Sequence, residues 1–227
     1  MKILKFKKQS KDKYKLYLDN NSDITLYEDV IIKNNLLITK EISDELLEAL
    51  KKQNNDMYAY TLALGYISVK MRSIKEINDY LIKKGFNNLV ANKVSERLIK
   101  EGYLNDLKYT KSFINDSMNL TNKGPQKIKM ELIKYGVNKD IIESEIALID
   151  QRKVEEKLNK LIDKELKIKK GSQNAIKIKI INHFVNLGYS KDLVTSILTG
   201  KEITSDKSKL KKDYAKLYNS NILDNEK

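Results

Sequence analysis

A chain of 227 residues, 41% of them hydrophobic, is long enough for one large domain or several small units with their own cores. It has no cysteine and one histidine, which excludes a disulfide framework, a thiolate zinc site and a histidine-rich metal centre. A net charge of +13 points to an anionic partner, although lysine outnumbers arginine 41 to 3, so part of the excess is a compositional bias.

The first residues, MKILKFKKQSKDKYK, are charged throughout and lack the apolar stretch of a secretory signal. No apolar run approaches the roughly 20 residues that span a bilayer. Together these features predict a cytoplasmic protein without a membrane partner. KILKFKK and KYKLYLD alternate apolar with polar side chains, which predicts a β-hairpin closed by SKDK, and DITLY predicts a third strand. EDVIIKNNLL predicts a short helix, and SDELLEAL starts another with Ser43 as N-cap. Residues 1–57, with eleven basic and ten acidic side chains, read as a nearly neutral α/β preface.

After residue 57 the pattern turns helical and repeats. DYLIKKGF, ELIKYGV and HFVNLGY end on Gly85, Gly136 and Gly188, spaced 51 and 52 residues apart. Each glycine has a large apolar residue four places before it (Leu81, Leu132, Phe184) and another just after it (Phe86, Val137, Tyr189). Five places beyond, Val90, Ile141 and Leu193 open the next run. Glycine one step past a helix takes the left-handed conformation that closes the last turn, and the apolar residue behind it folds back on that helix. A further helical segment precedes each pair, so the period predicts three-helix units at 58–104, 105–151 and 152–200. The fold class is therefore mainly α: three tandem three-helix repeats forming an elongated curved chain, preceded by the β-hairpin and helix region. In the tail, 201–227, KSKLKKDYAKLYNSN predicts one more helix before a polar end.

The middle helices start in three ways. Ser73 and Glu76 form a capping box, Pro125 follows Gly124 as a first helical residue whose missing N–H costs nothing, and Gly171-Ser172 opens the third. No phosphate-cradling loop or nucleophile elbow occurs, and no carboxylate pair is singled out, so neither enzymatic activity nor a cofactor or metal is expected. His183 reads as an ordinary surface or half-buried residue. The third repeat carries eleven basic against five acidic residues, and Lys160, Lys164 and Lys167 share one helix face. That stripe is a polyanion contact or a solvated face; composition does not decide between them. Lys123, Lys127 and Lys134 fall on roughly one face of the helix that Pro125 starts. Arg72 stands out as a rare arginine beside a capping box.

ALGYISVKMRSIKEINDYLIKKGF, RLIKEGYLNDLKYTKSFI and KGPQKIKMELIKYGVNKDII, in that order, resemble the successive signatures of the RecX family, regulators of the bacterial RecA recombinase. The pieces are Arg72-Ser73 with Glu76-Ile77, the turn Lys84-Gly85-Phe86, the corner Gly102 to Asp106, and the segment Lys123 to Leu132. The resemblance covers residues 58–200, and KFKKQSKDKYKLYL resembles the β-rich extension of clostridial-type members. It implies tandem three-helix repeats and a negative regulator that binds in the groove of the RecA–DNA filament. Such a regulator inhibits ATP hydrolysis, strand exchange and filament growth. It also implies possible contact with single- or double-stranded DNA. Arg72, Lys83, Lys84, Lys123, Lys127, Lys134, Lys160, Lys164 and Lys167 are the candidate contacts to RecA or DNA. No coiled-coil seam is visible, and a monomer is expected. The alternative is a non-specific architectural DNA-binding protein acting without RecA. The third repeat departs most from the family pattern, lacking the glycine-tyrosine-leucine corner.

Overall fold

Alternation in the first 27 residues is resolved as a three-stranded antiparallel sheet of order β1 (Ile3–Lys8), β2 (Lys13–Leu18), β3 (Asp23–Tyr27). The computed structural model describes residues 1–203; the helix expected in the tail lies outside the described residues. Leu16, Leu18 and Leu26 are buried on one face, packed with Ile3 and Phe6. Ile3 and Phe6 are three apart and would fall on opposite faces of a regular strand. A bulge between Ile3 and Lys5 supplies the extra residue that returns both to the core side.

The expected helix over EDVIIKNNLL is two short ones, α1 (Glu28–Lys33) and α2 (Leu36–Thr39), separated at Asn35, whose φ of 52° is left-handed. The helix that Ser43 caps does not stop at the expected boundary after residue 57. It runs unbroken from Asp44 to Val69 as α3. Leu50 belongs to the sheet's core, Ala59, Tyr60 and Ala63 to the first repeat's, and Met57 packs on both. Within the polar run KKQNND in its middle, Asn54 turns to the sheet: its side chain accepts from Tyr27 N at 2.9 Å and donates to Thr25 O at 3.1 Å, while Lys51, Lys52 and Asn55 are exposed. These bonds satisfy the backbone at the end of β3, where strand pairing stops.

Behind α3 come α4 (Ile74–Lys83) and α5 (Asn88–Lys100), which with it bury Ile77, Leu81, Phe86, Val94, Leu98 and Leu104. The Ser73–Glu76 capping box is present, Ser73 Oγ accepting from Glu76 N at 3.2 Å and Glu76 Oε2 from Ser73 N at 3.1 Å. After Asn105 the chain enters a second compact unit. It contains α6 (Asp106–Leu120), α7 (Pro125–Lys134), α8 (Lys139–Ala147), α9 (Gln151–Ile168), α10 (Gln173–Asn186) and α11 (Lys191–Thr199). These six helices form two triplets over one continuous core, in which Ile128, Leu132, Leu158, Ile180, Phe184 and Val194 are buried together.

The glycine punctuation has one geometry throughout. Gly85, Gly136 and Gly188 have φ of 95°, 74° and 92°. The next residue donates its N–H back to the apolar residue four before the glycine: Phe86 to Leu81 O, Val137 to Leu132 O, Tyr189 to Phe184 O, all at 3.0 to 3.2 Å. Pro125 is the first residue of α7, as its fixed φ favours.

The second and third repeats meet backbone to backbone at this point. Gly124 N donates to Leu187 O at 2.7 Å and Gln126 N to Gly188 O at 3.0 Å. The orphan donors opening α7 thus bond the orphan carbonyls ending α10, and Pro125, which has no N–H, sits between the two donors. A Cβ on Gly124 would lie 2.6 Å from Gly188 C and O, and one on Gly188 would meet the Lys127 backbone. Lys157 of α9 completes the joint from the side. Its ammonium donates to Met118 O at 2.7 Å and Lys123 O at 3.2 Å, and burial holds its pKa below the usual lysine value.

Candidate partner-binding surfaces

Two of the three arginines staple helices of the first unit together, Arg72 largely buried and Arg97 at the surface with its side chain 46% exposed. Arg72 leaves the end of α3 and lays its guanidinium on Tyr66 of that helix, 3.8 Å from the ring centre. It also donates to Glu76 Oε1 at 3.2 Å, and its side chain is only 12% exposed. Tyr66 stacks on Tyr80 at 4.1 Å with the rings 9° apart, and Lys84 stands 5.6 Å from the Tyr80 ring, so four side chains form one column tying α3 to α4. Arg97 of α5 repeats the device, 3.8 Å over Tyr60 of α3 and 2.8 Å from Glu101. A planar, weakly hydrated guanidinium can stack while hydrogen bonding at its edge, which a lysine cannot do; two of the rare arginines are spent on that need. Arg72, expected as the leading partner contact, is placed inside the fold. Arg152 is exposed at the start of α9.

Tyr60 donates to Glu101 Oε2 at 2.5 Å, and its pKa is pushed up to about 12, by burial first and then by that carboxylate. The folded state therefore holds the phenol proton more tightly than the unfolded chain, whose tyrosine titrates near its ordinary value of 10.0. This stability is complete below pH 10 and lost as pH rises towards 12. Melts across that window are expected to show a fall of about 2 kcal/mol that the Tyr60→Phe variant lacks. Equal falls in both proteins would show that the bond to Glu101 does not survive in solution.

The expected lysine contacts lie in several settings. Lys83 and Lys84 are exposed at the end of α4. Lys123 is half-buried and bonded to Glu131 at 2.6 Å, and Lys127 is half-buried with its backbone against Gly188. Lys134 is exposed in the last turn of α7. Lys123 and Lys127 are thus built into the second unit rather than forming one open stripe with Lys134. Lys160, Lys164 and Lys167 are all exposed on α9. Lys160 and Lys164, with Lys153, line one wall of a groove of about 820 Å³, faced by Asn115 and Asn119 of α6. Lys167 lies farther along α9, outside that lining.

One regularity escaped the sequence reading. Three residues before each capping glycine stand Ile82, Ile133 and Val185, aliphatic yet 45%, 54% and 39% exposed. Each gives its carbonyl to the glycine N–H at 2.9 to 3.0 Å, so the three are equivalent in backbone position. The signal was available as a third apolar column at the same period, but helical spacing alone does not say which column faces water.

Among the described residues no group of His, Cys, Asp and Glu could hold a metal, and no helix is long and apolar enough to cross a membrane. What the fold presents is a tandem three-helix-repeat protein with basic and aliphatic surface positions. The first three-helix domain of RecX matches residues 59–98 and the second matches residues 105–144. Regulatory protein RecX of Streptococcus uberis is 37% identical over 207 residues, covering 91% of this chain and 79% of that one. The regulatory protein RecX of Streptococcus agalactiae serotype V is 32% identical over 229 residues, covering 96% and 86%. The crystal structure of RecX from Lactobacillus salivarius matches with a TM-score of 0.59 at 27% identity, over 65% of this chain and 96% of that one. Another crystal structure of a regulatory protein RecX shares the fold with a TM-score of 0.76 at 22% identity, over 86% of this chain and 98% of that one. The chain belongs to the RecX family.

Proposed function

We propose that this chain is a non-enzymatic negative regulator of the RecA recombinase, binding in the groove of the RecA–DNA filament and lowering ATP hydrolysis, strand exchange and filament growth. The observation that carries the reading is the match to regulatory RecX proteins along nearly the whole chain. The surface supports it in two ways. An exposed aliphatic residue at the same place in every repeat suits a partner that itself repeats, since each offers apolar area to bury in a contact. The exposed lysines at 83, 84, 134, 160 and 164 supply charge complementary to acidic side chains or phosphates.

The test is single-stranded-DNA-dependent ATP hydrolysis by the cognate RecA, titrated with this protein. Loss of hydrolysis well below one molecule per RecA is the expected result. No effect on RecA, with salt-sensitive DNA binding by the protein alone, would replace the reading with an architectural DNA binder. Within this test Lys160→Glu with Lys164→Glu is expected to weaken inhibition severalfold at unchanged melting temperature, because both side chains are exposed. Unchanged inhibition would remove the α9 groove from the contact surface. Reversing Lys123 and Lys127 is a poorer probe, since it would break the bond to Glu131 and load the joint at Gly188.

A further inference from the structure

The outward face of the N-terminal sheet is used by the core only at one end, where Tyr27, opposite Lys13, is buried. With Phe6, Leu16 and Leu26 turned inward, the register sets Lys5 opposite Tyr17 and Lys7 opposite Lys15 on the other side. Thr25 and Asp23 continue those two rows on β3. Lys5 and Lys7 are exposed, and neither has an ion pair among the described residues. Lys15 lies 2.9 Å from Asp23 with its ammonium 5.5 Å from the Tyr17 ring centre. Lys13, 4.6 Å from the Tyr27 ring centre, shares the face, so one carboxylate stands against four ammonium groups and the face is cationic. Like charges directly opposed across two strands weaken a sheet, so Lys7 and Lys15 are placed against the interest of the fold.

We propose that this face is a docking platform for single-stranded nucleic acid, with Lys5, Lys7 and Lys15 on successive phosphates and Tyr17 as the stacking surface for a base. An acidic peptide would be served by the lysines alone and would leave the ring no role beyond its contact with Lys15. A bilayer surface needs an apolar rim to bury, and this part of β1 exposes a single large aliphatic residue, Leu4. A duplex hides the faces of its bases, whereas an unpaired strand presents one to each ring it passes. Three strands about 4.8 Å apart make a flat platform about 10 Å wide, matched to one strand rather than to a groove. The site is separate from the repeats and does not rest on RecA being the partner.

The experiment is fluorescence anisotropy of a fluorescein-labelled oligo(dT) of about 20 nucleotides with the full-length protein, without RecA. It is repeated between about 50 and 200 mM salt. Lys5→Ala with Lys7→Ala is expected to weaken binding about tenfold and to flatten the slope of log K against log salt by about 1.4, two phosphates' worth for a single strand. Tyr17→Ala is expected to weaken binding about tenfold without changing the slope, and Tyr17→Phe to restore it. Melting curves matching the wild type show that the sheet still folds. The proposal is overturned if the wild type does not bind the oligonucleotide, or if the lysine variant keeps both affinity and slope. It is equally overturned if a duplex of the same length binds as tightly with the same dependence on Lys5 and Lys7, or if vesicles with anionic lipid bind where oligo(dT) does not. Inhibition of RecA ATP hydrolysis, measured on the same variants, separates this site from the regulatory reading: retained inhibition with lost oligo(dT) binding supports the platform and leaves regulation standing.

Discussion

Gly188→Ala is expected to destabilise the second unit by about 3–5 kcal/mol, the largest loss expected from removing no native atom. Two terms add. A non-glycine residue at φ of 92° carries a left-handed penalty of about 1–2 kcal/mol. The new methyl would also lie 2.6 Å from Lys127 Cβ and closer still to the Lys127 backbone nitrogen, so the turn and the start of α7 must separate. Separation in turn lengthens the bonds from Gly124 N and Gln126 N to the end of α10. Gly85→Ala is the matched control: its φ is 95°, but an added Cβ there meets nothing within 4 Å. It should lose about 1–2 kcal/mol from conformation alone. Denaturant melts of the two variants read the difference directly. Equal losses would mean that the joint yields at little cost and that the repeats are not locked together.

Arg72→Ala is expected to cost about 2–4 kcal/mol, whereas Arg152→Ala, exposed on the first turn of α9, should stay within about 0.5 kcal/mol. The Arg72 loss combines a desolvated cation–ring contact, an ion pair with Glu76 whose side chain is only 16% exposed, and the packing of the arginine stem. Arg72→Lys should recover only a minor part, because an ammonium cannot lie flat on Tyr66 and reach Glu76 together. Thermal melts settle the matter. If Arg72→Ala melted like the wild type yet failed to inhibit RecA, Arg72 would act on the partner rather than in the fold.

Local physics was legible in the sequence, and contacts between distant segments were not. The capping glycines could be read because a left-handed turn needs glycine and an apolar residue on each side, all within six positions. The Ser73–Glu76 box and Pro125 are local in the same sense. The contact of Gly124 with Gly188 joins positions 64 apart and leaves no pattern in either stretch, so Pro125 was explained without its setting. Arg72 is conspicuous in the sequence for its rarity, but rarity does not say whether a side chain meets a partner or its own fold. Its actual use depends on Tyr66 and Tyr80 arriving from two helices. The continuity of α3 was masked because KKQNND looks like a linker by composition. Two of those side chains are polar because β3 and α1 need hydrogen bonds there, Asn54 serving Tyr27 and Thr25, Gln53 serving Asn34, while Lys51, Lys52 and Asn55 meet solvent. Among the lysines no local rule separates one that plugs carbonyls, like Lys157, from one that meets solvent, like Lys160.

The unbroken α3 makes the first unit a lever. At 1.5 Å per residue its 26 residues span about 39 Å, with the sheet fixed to one end and the first repeat to the other. No hinge interrupts it, so a torque applied at the strands is delivered to α4 and α5 rather than dissipated in a linker. A chain trimmed to begin at residue 58 would keep less than half of that shaft, near the length at which an isolated helix ceases to hold itself together. Whatever grips the sheet therefore also aims the first repeat.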